Sequence, residues 1–407
     1  MKRKCLLILV MVAFVLTGCW DSVELNDIAI VTGMAIDPGE DKKYRLTLEY
    51  MNPANFSKTS SQQGAPVSTM VQEGNSIADL AGKVNVGASR QLVFSHTRVL
   101  FINEKIAEEG ILGFLDGLER SAPFRNDFNI LITKSHKAED YVKINNPLEK
   151  VPSLKLQKQA KSFAEGWGGD PKVVLSDFID ALISKGRNPV TNTVVLKGDP
   201  EKGSKQESNM SNGREALILF DGLAVFDNEK LAGYLSLDDS RNYMWTQDLK
   251  QTTLTFPCHD HGDSAKEKQY VNVRVPNSRT KMETYYRNEQ PVLKVNIYTE
   301  AQIIETQCSD DLTKIDTFKK LEKNAEKYIE ESVGRTISKT QKEYGVDIFG
   351  FGEALYRQDY KKFKDVEDDW NKEFARAEVV VSAKVQIRRA GTKSKSFLTE
   401  LSDGMEE

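Results

Sequence analysis

The chain has 407 residues, with 56 basic and 60 acidic side chains and a net charge of −4 at neutral pH. At about 100–200 residues per domain, this length allows two or three domains with their own cores. Nucleic-acid-binding proteins present a basic face to phosphates, and this mildly acidic composition argues against that class. We therefore expect no nucleic-acid partner.

The first 18 residues are typical of a lipoprotein signal peptide. A basic cluster at 2–4 precedes an apolar run at 6–16, which is too short to span a bilayer. Leu16-Thr17-Gly18-Cys19 has the form of a lipobox, in which the cysteine sulfur receives a diacylglyceryl group. We predict that residues 1–18 are removed and that Cys19 is lipidated and held on the outer face of a membrane. An ordinary cleaved signal with a chance cysteine is the alternative.

Structure is predicted to begin almost directly after Cys19. Residues 28–36 are rich in branched apolar side chains and predict a buried strand. The eight residues between Cys19 and this strand reach less than about 30 Å when fully extended. We therefore expect the first domain to lie against the membrane surface, close to any partner within the membrane.

Strands and helices alternate in the first half of the chain, which favours a mixed α/β unit. A polar loop is predicted at 52–68, and a helical region over 152–184 is interrupted at 166–171. The other predicted elements are strands over 44–50, 97–102 and 128–133, a helix capped by Asn75 or Ser76, and helices over 104–118 and 138–143.

A polar stretch at 198–213 is predicted to separate this unit from a β-rich, largely antiparallel region. That region begins with a hairpin whose turn is 227–230. Further strands are predicted over 252–256, 270–275, 281–286 and 292–306. One long helix over about 311–344 then precedes a glycine-rich bend, a short helix around Trp370 and Phe374, and a last strand over 379–387.

Cys258-His259-Asp260-His261 is the one local cluster of metal-ligand residue types. Structural zinc sites usually bring four ligands at recurrent spacings, so we interpret this cluster as a solvated turn and predict no metal. We expect Cys258 and Cys308 to be two free, partly buried thiols. A disulfide is the alternative, because sequence alone does not show whether the Cα atoms lie within bridging distance.

No group of residues predicts catalysis or a cofactor. Ser95 and His96 are adjacent on an extended segment and point to opposite faces, and His136 is isolated, so we interpret all three as structural. No phosphate-binding glycine loop or nucleophile elbow occurs. The glycines around Asp347 are interpreted as a tight bend before a packed aromatic cluster. These observations favour a non-enzymatic binding or assembly protein.

Several blocks of this sequence resemble the Ger(x)C lipoproteins, the C subunits of spore nutrient germinant receptors. The blocks stand in the family's order and span almost the whole mature chain. They are Gly18-Cys19-Trp20-Asp21, Glu24-Leu25-Asn26-Asp27 with residues 30–37, Ser89-Arg90 with Phe94-Ser95-His96, Gly222-Leu223-Ala224-Val225-Phe226 with Gly233-Tyr234-Leu235, and Asp347-Ile348-Phe349-Gly350-Phe351-Gly352 with Trp370 and Phe374. Cys19 is the one residue whose functional role the resemblance transfers.

The resemblance implies a three-domain α+β protein, with mixed α/β units and largely antiparallel sheets after the signal peptide at 1–18. With the sequence pattern, it predicts an N-terminal α/β region over 19–198 and a β-rich middle domain over 214–290. A C-terminal α+β domain with the long helix is predicted over 291–390, followed by a flexible tail over 391–407.

The resemblance also implies a place on the outer face of the inner spore membrane, beside two membrane-embedded partners, the A and B subunits. Such a complex senses amino acids or sugars, and no catalytic activity is attributed to its C subunit. Our hypothesis is a scaffold or coupling role. Two alternatives remain: an extracytoplasmic solute-binding lipoprotein, which needs two similar lobes around a cleft, and a cell-wall hydrolase lipoprotein, which needs a catalytic pair.

Overall fold

The computed structural model describes residues 24, 27–51, 67–120, 124–146, 148–205, 215–258, 269–308 and 311–389. Cys19, His259 and His261 lie outside these ranges. The described residues form an α+β fold built around two β-sheets.

The first sheet has a parallel centre and antiparallel flanks. Its strand order is β3-β2-β1-β5-β6-β7-β8-β9, with β4 beside the start of β1. β1, β5, β6 and β7 run parallel, because helices connect them. The strands are β1 Ile28–Pro38, β2 Tyr44–Met51, β3 Val67–Gly74, β4 Gln91–Val93, β5 Val99–Asn103, β6 Asn129–Lys134, β7 Val190–Gly198, β8 Ala216–Asp227 and β9 Lys230–Leu235.

Helices cover both faces of the first sheet. One face packs against α1, α2, α3 and α6 around residues such as Leu80 and Phe114, and the other packs against α4 and α5 around Phe101 and Tyr141. Ser76 caps α1 by accepting a hydrogen bond from the backbone of Asp79, which confirms the predicted start. These helices are α1 Ile77–Gly87, α2 Glu104–Glu109, α3 Leu112–Arg120, α4 Ala138–Lys143, α5 Pro152–Gly166 and α6 Leu175–Ile183, with a short α7 Pro200–Gly203.

The single helix predicted over 104–118 is wrong, because α2 and α3 are separate helices. Gly110 lies between them with φ +120°, a conformation that a residue with a side chain rarely adopts. The next residue, Ile111, donates its backbone N–H to the carbonyl of Glu229 in the β8–β9 turn. The break thus turns the chain toward the hairpin.

The second sheet has the order β10-β11-β13-β12, and β14 pairs with the other side of β13 in parallel. The long helix α9 packs on β14 through an apolar stripe that includes Leu321, Ile329 and Val333. The remaining elements are β10 Thr252–Pro257, β11 Tyr270–Val275, β12 Ser278–Arg287, β13 Gln290–Thr306, β14 Glu378–Arg389, α8 Leu237–Trp245, α9 Ile315–Glu343, α10 Phe351–Gln358, α11 Tyr360–Val366 and α12 Trp370–Arg376.

The first sheet continues across the polar stretch at which the sequence predicts a domain boundary. β7 and β8 pair antiparallel from Val190 opposite Val225 to Gly198 opposite Ala216. β8 and β9 form the predicted hairpin, with Asp227 opposite Lys230. The strands of the predicted middle domain, 214–290, are therefore divided: β8 and β9 extend the first sheet, and β10 to β12 belong to the second.

Cys258 and Cys308 form a disulfide, so the expectation of two free thiols is wrong. Their Cα atoms are 6.1 Å apart, and both residues are buried. The first residue of β11, Tyr270, explains this proximity: it pairs with the end of β10, and its carbonyl accepts a hydrogen bond from the backbone of Gln307, just after β13. Antiparallel pairing thus brings together two cysteines that are 50 positions apart in sequence.

Candidate functional site

The two sheets meet at a junction formed by the loop of residues 184–189 and the bend of residues 345–352. The loop joins α6 to β7, and the bend joins α9 to α10. The backbone N–H of Asn188 donates to the carbonyl of Asp347 at 2.6 Å. Gly186 and Gly352 pack so closely that a Cβ on either residue would lie 2.6 Å from the backbone of the other. The junction therefore requires glycine on both sides.

The carboxylate of Asp347 holds the bend in shape. It is fully buried and accepts hydrogen bonds from the backbones of Phe349, Gly350 and Gly352 and from the indole Nε1 of Trp370, each at 2.9 Å. Burial raises the pKa of Asp347 to about 6, although the four donors oppose this shift. The group is thus mainly ionised at neutral pH.

Aromatic side chains surround the bend. Phe349 lies at the centre of the cluster, with its ring centroid 5.7 Å from that of Tyr243, 5.9 Å from Phe351 and 6.3 Å from Phe374. The predicted tight bend before a packed aromatic cluster is confirmed. Because Tyr243 belongs to α8, the cluster joins the bend to the segment that follows the first sheet.

Two open clefts flank the junction. The cleft that we name the polar cleft, about 380 Å³, lies between residues 182–185, Asn188 and Asn228 on one side and residues 367–372 on the other. The aromatic cleft, about 510 Å³, is lined by residues 184–186 and by α10 and α11 residues that include Tyr356 and Phe363. Both have the size of small-molecule sites.

Ion pairs cross the junction at its surface. Lys185 Nζ lies 3.2 Å from Glu367 and 3.1 Å from Asp368, and Arg187 Nε lies 3.4 Å from Glu353. The pair of Lys185 with Asp368 is exposed, and exposed pairs contribute only about 0–1 kcal/mol each. The buried hydrogen bonds and glycine contacts therefore hold the junction, and the ion pairs set the charge around the clefts.

The structure separates the histidines that the sequence analysis singled out. Ser95 and His96 lie in a tight turn, closed by a hydrogen bond from the Thr97 backbone to Phe94, which precedes β5. His136 follows β6, which runs parallel to β5. It therefore lies beyond the carboxyl ends of these strands, whereas Ser95 and His96 lie before the amino end of β5.

Neither a metal cluster nor a spanning helix is present in the described ranges. No group of three or more His, Cys, Asp or Glu residues in these ranges is placed to hold a metal ion. No helix there is both long and apolar enough to cross a membrane. Cys258 is engaged in its disulfide.

Asn188 and its loop are part of the site but were not predicted from the sequence. Gly186 and Pro189 mark the segment as a break after α6, but nothing local indicates what it contacts. The chain is thus a two-sheet α+β protein. In its described residues, the junction joins the two sheets, and the polar cleft and the aromatic cleft lie beside it.

Two family models match the chain. The model described as "Spore germination protein N-terminal domain" matches residues 21–196, and the model described as "Spore germination B3/GerAC like, C-terminal" matches residues 221–391. Spore germination protein KC of Bacillus subtilis is 32% identical over 99% of this chain and 100% of that protein. Spore germination protein B3 of Bacillus subtilis is 22% identical over 93% of this chain and 96% of that protein.

A solved structure, the crystal structure of the GerBC protein, has a similar fold. It aligns with a TM-score of 0.53 and 18% identity, over 87% of this chain and 96% of that one. The chain belongs to the Ger(x)C family of spore germination proteins.

Proposed function

We propose that this chain is the C subunit of a spore germinant receptor, a non-catalytic lipoprotein needed for nutrient-triggered germination. Cys19 carries the lipid, which holds the chain on the outer face of the inner spore membrane. The lipobox supports the anchor, and the full-length similarity to spore germination protein KC carries the assignment to germination. The short segment between Cys19 and β1 keeps the first sheet near the bilayer.

The task of the chain in this complex is that of a scaffold or coupling subunit beside the membrane-embedded A and B subunits. A scaffold needs its contact surfaces in a fixed relation, and the interlocked junction supports this role. Asp347, Gly186 and Gly352 tie the two sheets together through buried contacts. Specificity for partners then rests on shape, since acidic and basic side chains are nearly balanced in the sequence.

The proposal is tested with spores whose only copy carries Cys19→Ala, in a background that lacks related receptors. We expect loss of the nutrient response, while germination by calcium dipicolinate, which bypasses receptors, stays intact. Cys5→Ala is the matched control, because Cys5 is removed with the signal peptide and its change leaves the lipobox whole.

Two outcomes would contradict the proposal. If the Cys19→Ala protein is confirmed to be unlipidated and the spores still respond normally to nutrients, the lipid anchor is not needed for function. If spores without this chain contain normal levels of the A and B subunits and signal normally, the chain is not their scaffold.

A further inference from the structure

Side-chain hydrogen bonds cover the edges of β9, β10, β12 and β14. Tyr344 donates to the backbone of β9 at 2.7 Å, and Arg241 of α8 donates to that of β10 at 3.2 Å. Gln358 bonds to the backbone of β12 as both donor and acceptor, and three glutamates of α9 accept from the backbone of β14. A strand edge without such cover pairs readily with another chain.

The strand β3 lacks this cover. It pairs with β2 along one side, and no side chain or neighbouring segment among the described residues bonds to its backbone on the other side. Alternate residues of a strand point to one edge, so half of the eight residues of Val67–Gly74 present their N–H and C=O groups to the open side. These groups form a template for one more strand.

The sequence of β3 has none of the features with which edge strands repel other chains. Residues 67–72 include no charged residue, no proline and no glycine. The single charge of the strand, on Glu73, is engaged within the chain, because its carboxylate pairs with Arg45 at 3.3 Å and accepts from the backbones of Glu40 and Asp41. Two copies of this strand therefore meet without repulsion between like charges.

An exposed apolar side chain lies beside the same edge. A Cβ on Gly87, at the end of α1, would lie 3.9 Å from Cε of Met70 on β3, so this end of the helix lies over the strand. The neighbouring Val86 is 89% exposed. If two copies of β3 pair about a twofold axis perpendicular to the sheet, both α1 helices lie on one face and both Val86 side chains flank the joint. Their burial adds hydrophobic stabilisation.

We infer that two copies of this chain pair through β3, antiparallel about a twofold axis, so that their first sheets become one continuous sheet. A second copy suits this edge because a symmetric pair uses the open edge of each chain and leaves neither edge exposed. The ladder is short compared with the interfaces of stable complexes, which bury about 1,200–2,000 Å². The dimer is therefore weak and is best trapped by a cross-link. This interface goes beyond the scaffold role and does not depend on it.

Oxidative cross-linking of variants with one added cysteine tests the pairing, on the full chain purified in detergent. The axis passes through position 69, 70 or 71, because only then do most residues of the strand find a partner. A cysteine at the axis meets its copy with Cα atoms about 4.5–5.5 Å apart, within the bridging range of about 4.4–6.8 Å. At the neighbouring positions the two cysteines are offset by two residues, about 7 Å along the strand, and lie beyond that range. We expect one position to give at least about fivefold more covalent dimer than the other two.

Two controls set the background. Lys281→Cys places an exposed thiol on β12, whose edge is covered by Gln358. Wild type, in which Cys258 and Cys308 are bonded to each other, shows whether any other thiol forms a cross-link. A Cys19 without lipid, which would contradict the proposed function, gives dimer in wild type as well, whereas pairing through β3 gives dimer only with the added cysteine.

Charged variants test the same pairing by a second route. Ser68 and Gln72 lie on the same face of β3 as Met70, and antiparallel pairing brings Ser68 of one copy near Gln72 of the other. Ser68→Lys with Gln72→Lys brings like charges together and should lower the dimer yield of the best cysteine variant at least about fivefold. Ser68→Lys with Gln72→Glu brings opposite charges together and should keep that yield or raise it.

Circular dichroism and thermal unfolding show which variants are folded, and only folded variants are compared. No dimer at any of the three positions, equal yields at all three, or a yield no higher than that of Lys281→Cys would overturn the inference. Equal yields from the two charged variants would overturn it as well, because a direct pairing of β3 must respond to the sign of the charge. If both charged variants are unfolded, the cysteine series alone decides the matter.

Discussion

Four buried donors share one acceptor at Asp347. Asp347→Ala leaves the backbone N–H groups of the bend and the indole of Trp370 without a partner, so we expect the free energy of unfolding to fall by at least about 3 kcal/mol. Chemical denaturation followed by tryptophan fluorescence measures this change. Asp368→Ala, at an exposed neighbouring carboxylate, should stay within about 0.5 kcal/mol of wild type. Equal effects in the two variants would contradict this account.

A second buried carboxyl, that of Glu49 on β2, has a very different environment. It accepts a hydrogen bond from Thr32 Oγ1 at 2.5 Å and one from the Ser153 backbone at 3.4 Å, and its Oε2 lacks a partner among the described residues. Burial raises the pKa of Glu49 from 4.5 to about 7. The folded chain thus holds this proton more tightly than the unfolded chain does.

The raised pKa of Glu49 makes stability fall as the pH rises. The favourable contribution is fully present below pH 4.5, is lost as the pH rises to about 7, and stays lost above that value. We expect Glu49→Gln to gain about 3 kcal/mol relative to wild type between pH 4.5 and pH 8, as measured by urea denaturation at each pH. Glu165→Gln, at an exposed position, is the control, and the same pH trend there would argue against Glu49 as the source.

At the scale of elements, the free edge of β14 is covered by side chains of α9. The backbone N–H groups of Ala383, Val385 and Ile387 donate to Glu330, Glu326 and Glu322, at 2.9, 3.1 and 2.8 Å. The spacing fits because glutamates four apart lie on one side of a helix, and alternate N–H groups of a strand point to one edge. An edge strand left open pairs readily with other chains, and this cover prevents such pairing.

Changing all three glutamates to alanine should expose the β14 edge and promote self-association, which light scattering and size-exclusion chromatography detect. We also expect stability to fall by about 1 kcal/mol for each lost hydrogen bond. The triple glutamine variant is the matched control, because an amide oxygen still accepts the strand's N–H groups. If the alanine and glutamine variants associate equally, charge rather than hydrogen bonding protects the edge.

Elements with a strong local pattern were predictable, and those defined by distant contacts were not. Branched residues predict β1, and the helix predicted over 138–143 matches the observed bounds of α4. The helix α8 was missed, although Ser236 and Asp239 form a capping pair at its start that would have indicated it. The strand β3 was also missed, because polar residues interrupt its three apolar ones and only Gly74 is fully buried.

The same distinction applies to the junction. Its bend was predictable, since glycines and aromatic residues follow Asp347 within a few positions. The contact with Asn188 was not, because it joins segments far apart in sequence and leaves no local pattern. The pairing of Cys258 with Cys308 was wrongly predicted for the same reason, because it depends on the register of β10, β11 and β13.

At the scale of the whole molecule, the disulfide closes a long loop that contains most of the second sheet. For a separation of 50 residues, its loss should lower the free energy of unfolding by about 3–4 kcal/mol. Denaturation of the Cys258→Ser, Cys308→Ser double variant measures this loss, and reduced wild type should unfold at a similar denaturant concentration. A double variant as stable as oxidised wild type would show that the bond does not support the fold.

The hydrophobic core around the second sheet also contains residues of the first sheet. Val190 of β7, Leu223 of β8 and Leu235 of β9 are buried in the same cluster as Trp245 and Phe349. The two sheets therefore share apolar surface as well as the polar contacts of the junction. This continuity is what a scaffold with a fixed geometry requires.

The parallel pairing of β14 with β13 sets the order in which the molecule is completed. β13 ends at Thr306, but its partner along eleven positions, from Val292 opposite Glu378 to Gln302 opposite Arg389, is the last strand described. During synthesis, a nascent chain that has not yet reached Glu378 carries a β13 with one unpaired edge and an α9 without the strand on which it packs. The second sheet therefore closes only after residues 378–389 have been made, and chains released before that point should be readily degraded.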